Sequence, residues 1–129
     1  RQINQPKKLT YARDYTINRQ VTLDPGELVF KIKAQNVPQF RGVTRVTLTP
    51  GYTPRVYSYI PELAEREKQA EFFFDQTALT FEMSPARMLI IGPEKFDPNP
   101  KTLANNFFCW KKPEPAIRIY LIVCTGINY

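Results

Sequence analysis

Histidine is absent from this chain of 129 residues, glycine occurs only five times, and cysteine twice. Without histidine the chain lacks the commonest general base and the commonest metal ligand. Two cysteines with no Cys-x-x-Cys spacing cannot build a structural zinc site. No phosphate-cradling, dinucleotide-binding or calcium-loop glycine pattern occurs either. The remaining acid–base material is carboxylate: Glu82, Glu94, Asp97 and Glu114 lie in the C-terminal half, but their spacing brings no two together. The longest apolar runs, 88–91 and 119–124, are strand-sized and far short of a membrane-spanning helix. The expectation is a protein that is not an enzyme, holds no cofactor or metal, and has no transmembrane segment.

Proline is abundant at 12 residues, and 43% of the chain is hydrophobic, which is ordinary for a folded domain. The length fits one domain with one core. The net charge is +6, with a sequence pI near 9.4. Residues 1–64 carry ten Lys/Arg against four acids, whereas residues 65–129 carry eight of each sign. The whole excess therefore lies in the N-terminal half, which points to an anionic partner there or to nothing more than solubility. The sequence begins at Arg1 rather than Met, as a processed or truncated form does, and a removed leader would fit export.

The prolines fall between periodic runs, the punctuation of many short strands joined by turns. The run 9–17 reads as a weak strand. Asp24-Pro25-Gly26-Glu27 is a strong turn signal, which makes 19–35 a hairpin. Leu28, Phe30, Ile32 and Ala34 alternate with Val29, Lys31, Lys33 and Gln35, so the lysines belong on the wet face. Thr44, Val46 and Leu48 alternate in the same way. Pro50-Gly51 then turns the chain before a strand over 55–60. Pro61 at a first helical position, with Glu62 behind it, opens one helix that reaches 74. Leu79, Phe81 and Met83 mark a further strand, 87–91 a fully buried one, and 107–110 and 116–125 the last two. The pattern predicts a mainly β chain: an antiparallel β-sandwich, or alternatively a β-barrel, of about seven to nine short strands with one helical insertion near 61–74. The whole of 1–129 reads as a single domain, with 1–8 an extended N-terminal arm.

Cys109 and Cys124 are a candidate disulfide if the chain between them crosses from sheet to sheet. If 111–115 instead makes a simple hairpin, Trp110 pairs near Ala116 and Cys109 near Ile117. The two sulfurs would then lie roughly 20 Å apart, beyond disulfide reach. A hairpin and a disulfide exclude one another here.

Two surface patches carry the functional reading. Arg55, Tyr57 and Tyr59 alternate on one strand face, with Tyr52 in the preceding turn and Arg41 and Arg45 nearby. Rings interleaved with guanidinium groups suit a protein interface, the stacking of nucleobases, or packing on the apolar faces of sugar rings. The plainer alternative is that the helix covers this face and leaves the tyrosines as core residues with a wet end. Trp110, Lys111 and Lys112 form the second patch, either a rim contact or core aromatic followed by a solvated turn. The first functional expectation is a non-catalytic structural or assembly domain, an exported component of a cell envelope, appendage or particle. It would contact other protein subunits, of its own kind or another. The alternative is a ligand-binding module, in its sharpest form single-stranded nucleic acid on an OB-like barrel.

Overall fold

The computed structural model describes residues 1–14, 17–93, 95–111 and 114–126. They form a mainly β protein with antiparallel sheets, two short helices and no closed barrel among the described residues, so the sandwich-like alternative holds and the barrel does not. The framework is the ladder between β4 (Gly26–Asn36) and β5 (Thr44–Pro54), paired over eleven positions from Gly26 opposite Pro54 to Asn36 opposite Thr44. β1 (Gln2–Ile3) adds to the outer edge of β4. On the far side of β5 lie β6 (Phe72–Phe73) and β7 (Leu79–Met83).

Period-two alternation gives this sheet two unlike faces. Leu28 and Phe30 on β4, Val46, Leu48 and Tyr52 on β5, and Phe81 and Met83 on β7 share the inner face, as the register requires. Lys31 and Lys33, Arg45, Thr47 and Thr49, and Thr80 and Glu82 share the outer one. The placement of the lysines on the wet face follows the sequence pattern.

The inner face is covered in two pieces. A ribbon of β2 (Lys7–Asp14) and β3 (Ile17–Leu23), together with α2 (Leu103–Phe108), closes one end around Leu9, Tyr11, Leu23, Phe74 and Phe107. A second ribbon, β8 (Met88–Ile91) with β11 (Tyr120–Val123), covers the other end, where Val46, Met83 and Cys124 meet Leu89 and Ile122. The expected single core is thus two clusters on one sheet face.

Several local expectations change for one reason. The segment 19–35 is not a hairpin: β3 pairs with β2 and β4 with β5, so the Asp24-Pro25-Gly26 turn passes the chain from ribbon to sheet. Gly26 is needed there, because a Cβ would lie 2.5 Å from the Tyr52 ring. Ser84 to Arg87 is the mirror case. Its Arg87 N–H donates to the Ser84 carbonyl (3.1 Å), and Ala86 takes a positive φ of 67°. That turn hands the chain from β7 to β8, whose residues alternate between exposed and covered rather than being buried throughout.

Pro50-Gly51 does not turn the chain; β5 runs straight through it to Pro54. Residues 55–60 are irregular, not a strand. The helix α1 spans only Pro61–Lys68, not 61–74, because the Phe72-Phe73 pair joins the sheet edge instead. Residues 103–108, read in part as strand, are helix. Thr102 is the cap, its Oγ1 accepting from the Asn105 N–H at 3.1 Å. Only Cys109–Trp110 (β9) extends beyond it, paired with Ala116–Ile117 (β10). Residues 1–8 are extended as expected, but they dock on the chain itself: Ile3 is buried and Lys7 begins β2.

Candidate functional site

The Arg/Tyr patch does not assemble on one face. Tyr52 points inward and is 2% exposed, with its hydroxyl donating to the Asp24 carbonyl at 2.9 Å. It is therefore core with a satisfied polar end. Burial, then the nearby Asp24 carboxylate and Tyr57, raises the Tyr52 pKa above the ordinary tyrosine value. Arg45 lies on the outer face, paired with Glu82 at 3.5 Å. Ten residues of nearly straight strand, roughly 30 Å, separate it from Arg55. Arg41 is exposed in the loop before β5. Arg55, Tyr57 and Tyr59 do stay together. Arg55 donates to the Asn4 side chain (3.2 Å), and the Glu67 carboxylate of α1 accepts from the Tyr57 backbone N–H (2.6 Å). The helix thus anchors the loop backbone while leaving both rings exposed.

Tyr52 yields a pH test. A group whose folded pKa is raised contributes stability that is complete below its unfolded pKa and fades as pH climbs through the folded one. Tyr52→Phe is expected to cost about 1 kcal/mol at neutral pH through the lost hydrogen bond. The gap between wild type and variant should then narrow above pH of about 10. Urea midpoints across that range measure it, and a gap constant with pH would contradict the assignment.

At the second patch, Trp110 is half-buried under two guanidinium groups, Arg1 at 4.6 Å and Arg118 at 4.0 Å from its ring centre. Arg1 also donates to the carbonyls of Asn105 (3.3 Å) and Cys109 (3.0 Å) at the end of α2, where a cation opposes the helix dipole. Lys111 is exposed; Lys112 lies outside the described residues, as does the Glu94 carboxylate. The two cysteines are not joined: both are free and buried. The hairpin alternative holds in its stated register, Trp110 opposite Ala116 and Cys109 opposite Ile117, which removes the disulfide. Cys109 sits by the Asp97 N–H (3.4 Å), whereas Cys124 belongs to the other core cluster.

One exposed apolar feature was not singled out from the sequence. In the β8–β11 ribbon, Leu121 pairs with Ile90 and Val123 with Met88, and these four share the outward face. Their exposures are 55%, 59%, 54% and 56%, so none is covered. Ile117 and Ile119 are exposed just before them along the chain. The signal was in the sequence: 88–91 and 119–124 are apolar at every position, yet one ribbon has two faces and the core can cover only one. No cluster of three or more potential metal ligands occurs among the described residues, and no helix there is long and apolar enough to cross a membrane. Comparison with protein-family models, curated proteins and solved structures finds no match to the chain.

Proposed function

We propose that this chain is a non-catalytic assembly domain that acts through protein–protein contacts. The observation that carries this reading is the outward face of the β8–β11 ribbon, four adjacent aliphatic side chains each more than half exposed. Contiguous apolar surface of this kind marks an interaction site, whereas scattered apolar residues do not. No charged residue interrupts those four, so the face has nothing to repel its own image. A second copy related by a twofold axis is the partner that such a self-complementary patch fits. An exported component of a cell envelope, appendage or particle is the setting this role implies. The nucleic-acid alternative keeps the basic N-terminal half, but the Arg/Tyr strand and the closed barrel are not found among the described residues.

Sedimentation over a concentration series is the test. The wild-type chain should associate, and Leu121→Lys or Ile90→Lys should shift dissociation by about tenfold or more, the weight of burying a charge in an apolar contact. Because both side chains face outward, the melting temperature of the monomer should be nearly unchanged. A strictly monomeric wild type at high concentration would overturn the proposal.

A further inference from the structure

We propose that the cleft between the inner face of the sheet and α2 binds a small, flat aromatic molecule that is uncharged and carries a hydrogen-bond donor. The cleft encloses about 540 Å³, within the range of small-molecule sites. Tyr11 of β2 and Ile91 of β8 border it, so it opens where the two ribbons meet over the sheet. Leu79 shows the gap most plainly. Register pairs it with Leu48 on the inner face, yet it is 51% exposed while Leu48 is 2% exposed. An inward position of the sheet has been left without a protein partner.

The lining defines the ligand. One wall is a ring cluster: Phe30 lies 4.3 Å from Phe107 and meets Tyr120 edge-on at 4.8 Å, with Phe107 and Phe30 both lining the cleft. A flat aromatic guest extends such a cluster in the offset or edge-on geometries that rings favour. Another part of the lining is polar and built around Asp97. Its two carboxylate oxygens accept from the Asn99 N–H (2.9 Å) and the Thr102 hydroxyl (2.5 Å), and each retains capacity for a further donor. In a chain of net charge +6, none of the described residues lining the cleft is Lys or Arg. An anion would therefore meet one carboxylate and no counter-charge, whereas a neutral donor meets a ready acceptor.

Two probes that share one ring skeleton test this. N-phenyl-1-naphthylamine is neutral and carries an N–H; 1-anilinonaphthalene-8-sulfonate adds a sulfonate. Fluorescence titration should give saturable one-to-one binding of the neutral probe and an affinity about tenfold or more weaker for the anion. Ala104→Trp and Leu79→Trp introduce bulk from exposed positions on opposite walls and should each weaken the neutral probe by a similar factor, with the fold intact by circular dichroism. Leu121→Lys, on the far face of the ribbon, should bind as the wild type does, which keeps this site separate from the assembly face. Methyl chemical shifts in the wild type give a readout free of any variant: Leu48, Leu79 and Leu103 should move with the neutral probe, and Leu121 and Ile90 should not. Non-saturable binding, equal affinity for the anion, loss of binding in Leu121→Lys, or shifts confined to the ribbon face would each overturn the proposal.

Discussion

Phe74→Ala is expected to lower the unfolding free energy by about 3–5 kcal/mol, the range for removing a fully buried ring and leaving its cavity. Phe74 is 1% exposed and meets Tyr11 and Phe72 edge-on, each at 5.0 Å between ring centres. Its backbone N–H also donates to the Pro50 carbonyl at 2.9 Å, so the ring sits where the β2–β3 ribbon locks onto the framework strand β5. Little can collapse into the space, because the ring's neighbours are held by separate strands. A domain of this size has roughly 5–15 kcal/mol in total, so the loss is a large fraction of it. Thermal unfolding should show a fall of roughly 10–20 °C. Phe40→Ala is the matched control: its ring is 65% exposed in the β4–β5 loop, and its loss should be near neutral. Equal effects from the two substitutions would refute this account of the core.

Asn106→Leu carries the second large effect, by polarity rather than volume. Asn106 is 1% exposed and wholly engaged. Its amide nitrogen donates to the carbonyls of Pro100 (3.0 Å) and Thr102 (2.6 Å), and its oxygen accepts from the Lys7 ammonium at 2.6 Å. Leucine fills a similar volume but leaves two carbonyls short of a donor and a partly buried cation without its acceptor. The expected cost is about 2–4 kcal/mol, because an unsatisfied buried group forfeits its full solvation. Burial, then the nearby Arg1 charge, already pulls the Lys7 pKa below the usual lysine value, so this cation has little to spare. Equilibrium urea unfolding of the variant measures the loss. A change within about 0.5 kcal/mol would mean that water replaces the amide.

How far the sequence reached depends on whether a signal was local. The β4 and β5 alternation was legible because a half-buried strand writes its two faces into every second residue, and it placed Val46, Leu48, Lys31 and Lys33 correctly. The register of Cys109 with Ile117 follows from loop length once a hairpin is assumed, but the sequence left open whether the chain makes a hairpin there or crosses between sheets. Asp24-Pro25-Gly26 announced a turn, but not whether the strands on either side share a sheet. That depends on the distant β2 and β5, which no local pattern reports. Residues 55–60 alternate like a strand and are not one, because no neighbour offers them a ladder between Pro54 and Pro61. The aromatic run 107–110 masked a helix that its cap at Thr102 and the Asn105-Asn106 pair support. The candidate site suffered most. Tyr52 was grouped with exposed residues although its register with Val46 and Leu48 turns it inward. The ribbon face escaped notice because apolar runs were read as buried by default.

The clasp between Arg1 and the end of α2 has a consequence in time. The hydrogen bond from Arg1 to Cys109 spans 108 positions of chain. The β4–β5 ladder, by contrast, closes over a loop of seven residues and can form as soon as it exists. On a ribosome adding roughly 5–20 residues per second, Arg1 waits on the order of 5–20 s for its partners to be made. Through that interval the covers supplied by α2 and β11 are missing, so Phe30 lacks the rings of Phe107 and Tyr120 that pack on it. The stretch of synthesis before residue 110 is when this chain is most open to the wrong partner.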